Sequence, residues 1–278
     1  MARRYVENMS TQAEACETFL ALHHGDAPLL LPNAWDRGTA KLFAFMGFAA
    51  VATTSAGHAA TLGRLDGTVT IDEILEHAAA LAGATDLPVN VDFENAFADD
   101  PAGVADNVAH LAAMGVAGCS VEDFTRRADD PIYETALAAE RIEAAAGVAH
   151  GTGPRLVLTA RAENYLHGHA DLTDTIARLQ AYQAAGADVL YAPGLHTIDD
   201  IRTVVSSVDL PVNVLALPNV PPVSELAAAG VRRVSVGSGF SRVALGATVD
   251  AARELLDEGT YGFWRVAASA APVRDAFA

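Results

Sequence analysis

Charged side chains end three successive short apolar runs of the sequence. The first run ends in Asp92 with Glu94 two residues later, the second ends in Glu122, and the third ends in Arg161 with Glu163 two residues later. If these runs are neighbouring parallel strands, their carboxyl ends bring the side chains together. Grouped carboxylates without Cys or convergent His suit a hard cation such as Mg²⁺ or Mn²⁺. The guanidinium can then hold a substrate carboxylate through two parallel N–H groups.

The same acids also have a purely structural interpretation. In it they cap the helices that follow and pair with Arg126, Arg127 or Arg161. For one strand end this interpretation would be favoured. Three neighbouring strand ends together favour the metal site.

Small and hydroxyl-bearing residues follow an earlier apolar run, in the order Thr54-Ser55-Ala56-Gly57, and His58 comes next. Their hydroxyl and backbone N–H groups can cradle an anion, and small residues also make tight loops. Beside a cation and an arginine, the run predicts a pocket for a carboxylate.

Other residues with catalytic potential are interpreted structurally. His167 and His169 have no third ligand at zinc spacing, so we expect them in a loop. Cys119 lies inside an apolar run and is expected to be a core residue. Lys41 is the only lysine, so a Schiff-base mechanism would have to use it.

The elements that position these residues alternate along the chain. Eight apolar runs lie at 29–32, 49–54, 88–92, 118–122, 156–161, 189–192, 212–216 and 233–236. Amphipathic helices are predicted between them, at 71–82, 102–114, 134–149, 172–185, 198–207 and 224–229. This order predicts an α/β fold, a (β/α)₈ barrel in a single domain over 1–278. An open doubly wound sheet is the alternative, but its GxGxxG turn is missing after the first run.

The two ends of the chain predict extra helices. One precedes the first run. The other follows Gly259 and carries Tyr261, Phe263 and Trp264. So apolar a segment docks either on its own barrel or on a neighbouring subunit.

Composition excludes several classes of protein. The chain has 278 residues, 51% of them hydrophobic, and a formal net charge of −17. Such a charge repels nucleic acid and anionic membrane surfaces. No stretch approaches the roughly 20 apolar residues of a membrane span. With two distant cysteines and no secretory signal pattern, we expect a cytoplasmic protein that binds no nucleic acid or membrane.

Taken in order, the motifs resemble those of the isocitrate lyase and phosphoenolpyruvate mutase superfamily. They are Asn33-Ala34-Trp35-Asp36, Thr53-Thr54-Ser55-Ala56-Gly57, Gly63-Arg64-Leu65-Asp66-Gly67, Asp92-Phe93-Glu94-Asn95, Val121-Glu122-Asp123 and Ala160-Arg161-Ala162-Glu163. The resemblance covers residues 29–242. It implies a (β/α)₈ barrel whose last helix is exchanged between subunits, in homodimers or homotetramers.

The resemblance also implies roles for residues. Asp92 would bind Mg²⁺ directly, and Asp66, Glu94 and Glu122 would hold the ion directly or through its waters. Arg161 would bind the substrate carboxylate or stabilise an enolate. The predicted binding site for the rest of the substrate consists of Trp35, Thr54, Ser55, Ala56 and Gly57.

Two departures from the motifs of known family members narrow the predicted activity. Isocitrate and methylisocitrate lyases carry a Cys in the loop after the fourth-strand Glu-Asp, where this chain has Phe124-Thr125-Arg126-Arg127. Phosphoenolpyruvate mutase has a His at the end of strand 6, where this chain has Tyr191-Ala192-Pro193-Gly194. In addition, Glu94 stands where a second Asp is usual.

The leading hypothesis is therefore a Mg²⁺-dependent lyase or hydrolase, similar to oxaloacetate decarboxylases and hydrolases. It would cleave a carbon–carbon bond in a small 2-oxo or 2-hydroxy carboxylate or dicarboxylate through an enolate. His58, Glu122 and a water held by the metal remain open as the acid or base. The alternatives are carbon–phosphorus chemistry of the phosphonopyruvate hydrolase or phosphoenolpyruvate mutase type, and a non-catalytic protein that binds a 2-oxo acid.

Overall fold

A computed structural model describes residues 11–267 and 270–278, and strands and helices alternate along it. The strands are β1 (Leu29–Leu31), β2 (Asn33–Ala34), β3 (Val51–Thr53), β4 (Val89–Asp92), β5 (Gly118–Glu122), β6 (Val157–Arg161), β7 (Val189–Tyr191), β8 (Val212–Leu215) and β9 (Arg233–Ser235). The helices are α1 (Gln12–Leu22), α2 (Arg37–Phe45), α3 (Ser55–Thr61), α4 (Ile71–Ala82), α5 (Pro101–Ala112), α6 (Thr135–Ala149), α7 (Leu172–Ala184), α8 (Ile198–Ser206), α9 (Val223–Ala228), α10 (Gly239–Arg253) and α11 (Ala270–Phe277).

All the strands pair in parallel and close on themselves. Their order is β1-β9-β8-β7-β6-β5-β4-β3-β2. β1 and β2 are two halves of one strand separated by Pro32, which has no N–H to donate to a neighbour. Because one half pairs with β9 and the other with β3, the sheet becomes a barrel. The predicted (β/α)₈ barrel is confirmed, and the open sheet is excluded.

Helix α4 illustrates why the predicted helices form where they do. The Thr70 hydroxyl accepts a hydrogen bond from the Glu73 N–H, and the Glu73 carboxylate accepts one from the Thr70 N–H, a pair that stabilises a helix start by about 1 kcal/mol. Ile74, Ala78 and Leu81 then fall on one face and pack against the barrel. The structure gives α4 the same bounds that the sequence predicted.

Helix α1 closes the amino-terminal end of the barrel. Cys16 and Phe19 pack there with buried residues of the barrel, including Leu31 and Val157. A Cβ at Gly118 would lie 2.5 Å from the Val157 carbonyl oxygen and 3.0 Å from the Phe19 ring. Glycine at this position therefore lets α1 seat against β5 and β6. The predicted extra amino-terminal helix is confirmed.

The carboxyl-terminal part differs from the prediction. The segment after Gly259 forms a short 3₁₀ turn, Gly262–Arg265, and the regular helix α11 begins only at Ala270. Gly259 has a φ of 67°, a left-handed conformation that ends the preceding helical segment. Trp264 and Val266 are exposed. Exchange of the terminal helix between subunits stays a prediction.

In the described part of the chain, each helix is too short or too polar to cross a lipid bilayer.

Candidate active site

Arg161 lies at the centre of a group of carboxylates at the carboxyl-terminal end of the barrel. Its Nη1 donates to Asp92 Oδ1 at 2.6 Å, and its Nη2 lies 3.1 Å from Glu122 Oε2 and 2.8 Å from Glu163 Oε1. The strand register explains the meeting, since Arg161 pairs with Glu122 on one side and with Tyr191 on the other. The three charged strand ends that the sequence singled out do come together.

Asp92 is held in a fixed orientation by its neighbours. Its Oδ2 accepts a hydrogen bond from the Ser55 backbone N–H at 3.0 Å, and its own N–H donates to Thr53 Oγ1 at 2.9 Å. Ser55 is the first residue of α3, so the carboxylate faces the positive end of that short helix. We call this carboxyl-terminal end of the barrel the mouth. Asp92 is therefore positioned to present an oxygen to its centre.

Glu94 follows β4 in a left-handed conformation, with a φ of 50°. One of its oxygens pairs with Arg126, while Oε1 is buried and, within residues 11–267 and 270–278, has no hydrogen-bond partner. Burial raises the pKa of the Glu94 carboxyl to about 7, against the opposing charge of Arg126. A buried carboxylate oxygen without a partner is unusual and points to a ligand that is not part of the chain.

Glu122 and Asp66 complete the acidic group. Burial raises the pKa of Glu122 well above its ordinary value, and the charge of Arg161 opposes the rise. Burial likewise raises the pKa of Asp66, and the neighbouring Ser55 side chain opposes the rise. Asp66 reaches the site from the loop after α3. Its side chain is the only one of the four predicted metal ligands that does not come from the end of a barrel strand.

Two adjoining cavities meet at this group. The inner cavity, about 200 Å³, runs down the barrel from Asp92 and Arg161. The outer cavity, about 250 Å³, contains Glu94 and Glu122 in its wall. Both are lined by Ser55, Asp66, Arg161 and Leu166. They are two parts of one site, and each part is smaller than the usual 300–1,000 Å³ of a drug-sized pocket, which suits a small substrate.

The other predicted site residues divide into two groups. Thr54, Ser55 and Ala56 line the inner cavity. Trp35 and Gly57 line neither cavity; they pack together, since a Cβ at Gly57 would lie 2.9 Å from Trp35 Cβ. The small-residue run that the sequence described as a cradle or a tight loop is the start of α3.

His58 is buried on α3 and lines neither cavity. Its ring stacks on His77 with centroids 3.8 Å apart, and its Nε2 has no hydrogen-bond partner. Burial lowers the pKa of His58. Among the predicted acid–base candidates, Glu122 lies in the site, whereas His58 lies behind it.

The ion pairs of the structural interpretation are also present. Arg126 pairs with Glu94 and Arg161 with its three acids, while Arg127 pairs with Asp99 and Asp130 at the surface. These ion pairs do not neutralise the negative charge at the mouth, where five carboxylates face two guanidinium groups. The carboxylates are Asp66, Asp92, Glu94, Glu122 and Glu163, and the guanidinium groups are Arg126 and Arg161.

Several lining residues were not predicted. His167, expected in a loop, lines the outer cavity, stacks on Phe124 at 3.7 Å and lies 3.7 Å from Glu163. Asn213 and Arg233 line the inner cavity. The available signal was alternation, because a polar residue stands between two valines in Val212-Asn213-Val214.

Other residues with catalytic potential lie away from the site. Cys16 and Cys119 are free and buried, and burial raises the pKa of Cys119 to about 12, as expected for a core thiol. Lys41 is exposed on α2 and lines neither cavity. A larger groove of about 670 Å³ beside α1 is lined by Leu29, Phe48 and other residues, none of which is ionisable.

The sequence and the fold both have known relatives. The family described as "Phosphoenolpyruvate phosphomutase" matches residues 19–256. An uncharacterized protein of Mycobacterium tuberculosis is 36% identical over 86% of this chain and 89% of its own length. A 2-methylisocitrate lyase of Halalkalibacterium halodurans is 28% identical over 74% of this chain and 69% of its own. A crystal structure from Burkholderia cenocepacia, provisionally described as a lyase/mutase, is 47% identical with a TM-score of 0.93, covering 96% of each chain.

More distant relatives include oxaloacetate decarboxylases, one of them from Pseudomonas entomophila at 28% identity. Oxaloacetate acetylhydrolase and a phosphonopyruvate hydrolase crystallised with oxalate and Mg²⁺ share the fold at 22% identity. The family match spans most of the barrel, including all the strand ends that carry the acidic group. The chain therefore belongs to the phosphoenolpyruvate phosphomutase family, within the isocitrate lyase and phosphoenolpyruvate mutase superfamily.

Proposed function

We propose that this protein is a Mg²⁺-dependent lyase or hydrolase that cleaves a carbon–carbon bond in a small 2-oxo or 2-hydroxy carboxylate through an enolate. The observation that carries the proposal is the excess of carboxylates around Arg161 in a small cavity. Like charges held this close require a cation, and the guanidinium lies where an oxyanion would be stabilised.

The donor set fits Mg²⁺. It consists of carboxylate oxygens, which hard cations prefer, and Glu94 Oε1 is buried without a partner. In residues 11–267 and 270–278 no three His, Cys, Asp or Glu side chains form a ready-made metal cage. Mg²⁺ does not require one, because it keeps several waters and binds through one or two carboxylates. We assign Asp92 as the direct ligand, with Asp66, Glu94 and Glu122 holding its waters.

The metal, when bound, supplies Lewis-acid polarisation of the substrate oxygens. The chain's own residues do the rest. Arg161 would turn its N–H groups from the acids to the substrate and stabilise the negative charge that develops as the bond breaks. Thr54 and Ser55 would orient the substrate carboxylate at the start of α3. Leu166 and Phe124, on the walls of the two cavities, would limit access of water.

Proton transfer is assigned by position. Glu122 contacts Arg161 and lines the outer cavity, so it can give or accept a proton at Oε2 next to the reacting group. His58 lines neither cavity and stacks on His77, so it does not reach a bound substrate. The geometry therefore favours Glu122 over His58 for the acid–base role.

Proton NMR of the purified protein tests this proposal. The protein is incubated with Mg²⁺ and a pool of oxaloacetate, 2-oxoglutarate, malate derivatives, methylisocitrate and phosphonopyruvate. We expect one carboxylate to be consumed by the wild type and by Asp72→Ala, a variant at an exposed position of α4, but not by Asp92→Ala.

Three other results would contradict the proposal. Consumption of phosphonopyruvate alone would replace it with carbon–phosphorus chemistry. Metal-dependent line broadening of a 2-oxo acid without turnover would make the chain a binding protein. Equal turnover by Asp92→Ala would refute the assigned site.

A further inference from the structure

The barrel interior below Arg161 is polar, although barrel interiors are usually filled with branched apolar side chains. The buried residues are Asn90, Ser120, Thr159, Asn213, Arg233 and Ser235. Most of them line the inner cavity, which runs from the acidic mouth down to Arg233. The lower part of the site is therefore built to receive a polar group.

Arg233 is only 2% exposed, and its side-chain hydrogen-bond partners are uncharged. Its Nη1 donates to Thr159 Oγ1 at 3.0 Å and lies 3.3 Å from His23 Nε2. His23 Nδ1 lies 2.7 Å from the Phe19 carbonyl oxygen, which makes Nδ1 the protonated nitrogen and Nε2 the acceptor. Burial lowers the pKa of His23 to about 3, so the ring is uncharged.

In the part of the chain that the structure describes, no carboxylate forms an ion pair with Arg233. Burial lowers the pKa of the Arg233 guanidinium to about 9, which leaves it charged at neutral pH. An unpaired buried charge destabilises the fold by several kcal/mol unless an opposite charge joins it. The acids at the mouth that form ion pairs form them with Arg161 or Arg126.

Three buried polar atoms that line this cavity have no hydrogen-bond partner among the described residues: Arg233 Nε, Asn213 Oδ1 and Asn90 Oδ1. Water can satisfy such atoms, but it leaves the guanidinium charge unbalanced. A carboxylate satisfies Nε and balances the charge at once. The Ser235 hydroxyl, which accepts from Asn213 Nδ2, can donate to the carboxylate, whereas the two amide oxygens need a donor such as a water or a substrate hydroxyl.

We propose that Arg233 binds the second carboxylate of the substrate, so that the site prefers a small dicarboxylate to a monocarboxylate of the same length. This inference rests on the proposed function for the first carboxylate, which stays at Arg161 and α3. The two guanidinium groups line one cavity of about 200 Å³, so a short diacid can contact both.

Calorimetric titration with a matched pair of acids tests this inference. L-Malate carries a carboxylate where 2-hydroxybutyrate carries a methyl group, and both are titrated into the full chain with Mg²⁺. We expect the wild type to bind malate about 30-fold more tightly, the effect of a charge-assisted hydrogen-bond pair. Arg233→Met should reduce the difference to within about threefold without weakening 2-hydroxybutyrate.

A second variant keeps the test informative if Arg233→Met does not fold. Asn213 pairs with Arg233 across β8 and β9. Asn213→Asp places a carboxylate beside the guanidinium, so it should raise the melting temperature and abolish the preference for malate. A preference for malate that survives in either variant would overturn the inference, as would a wild type that binds both acids equally or neither.

Binding is measured without turnover, so the two proposals fail separately. A chain that prefers malate but consumes no acid refutes the reaction and keeps the role of Arg233. A chain that consumes an acid without preferring the diacid keeps the reaction and refutes the role of Arg233.

Discussion

The two ends of the barrel are built from the same strands but differ in charge and packing. At the mouth, five carboxylates face two guanidinium groups, and Glu94 Oε1 has no partner. Below Arg233, at the floor formed by Cys16, Phe19, His23 and Gly118, the side chains are apolar or uncharged and close-packed. The mouth is under electrostatic strain that a ligand relieves, whereas the floor stabilises the fold without one.

This comparison predicts that changes at the mouth reduce turnover and changes at the floor reduce stability. The largest effect is expected from Asp92→Asn. The amide keeps the shape but removes the charge that holds Mg²⁺ and aligns Arg161, so kcat/KM should fall by about 10³-fold or more. Steady-state kinetics measure this, and the melting temperature should stay close to that of the wild type. A large loss of stability in place of turnover would reverse the assignment of the two ends.

Gly118→Val is the corresponding change at the floor. A side chain there meets the Val157 carbonyl oxygen and the Phe19 ring, so we expect the free energy of unfolding to fall by about 3 kcal/mol. Urea denaturation measures the loss. The fraction that remains folded should turn over substrate at the wild-type rate. Gly147→Val on α6, where nothing lies within 4 Å of the added Cβ, is the control for the side-chain change.

Acid should destabilise the floor through His23. Burial lowers the pKa of His23 from 6.5 to about 3, so between these values the unfolded chain binds a proton that the folded chain does not. Stability due to neutral His23 is therefore present above pH 6.5 and is lost as the pH falls, by about 2 kcal/mol at pH 5. Melting temperatures of the wild type and His23→Gln from pH 7 to pH 5 test this. The variant should lose less, and exposed His24→Gln should behave as the wild type does.

The smallest effect is expected from Arg127→Ala. Arg127 neighbours Arg126 in sequence, but its side chain is 44% exposed and pairs with the surface acids Asp99 and Asp130. Such pairs contribute at most about 0.5–1 kcal/mol, so stability and kcat/KM should hardly change.

Arg126→Ala leaves Glu94 without its partner and should alter the apparent affinity for Mg²⁺. Equal behaviour of the two variants in a Mg²⁺ titration would contradict the role given to Glu94.

Much of the barrel was predictable because each strand and helix carries a local signal. The run at 118–122 and the helix at 71–82 have the predicted bounds, since β-branched or apolar residues and caps define them. The prediction of a helix directly after Gly259 was wrong, because Gly262–Arg265 form a 3₁₀ turn around which Trp264 and Val266 are exposed. Apolar composition alone does not separate that turn from a helix.

The site was predictable to a similar extent. Asp92, Glu122 and Arg161 meet because parallel strands end together, which topology alone implies. The orientations of His58 and Trp35 depend on how α3 packs on its neighbours, and no local pattern encodes that packing. Arg233 was missed because an arginine at the start of an apolar run suggests an exposed strand end, whereas here it points into the barrel.

The most direct test of the central claim is the binding of Mn²⁺, followed by electron paramagnetic resonance of the free ion. We expect one ion bound per chain of the wild type, displaced by Mg²⁺, and at least tenfold weaker binding in Asp92→Asn. A wild type that binds no ion, or a variant that binds it equally well, would show that the acidic mouth is not a metal site.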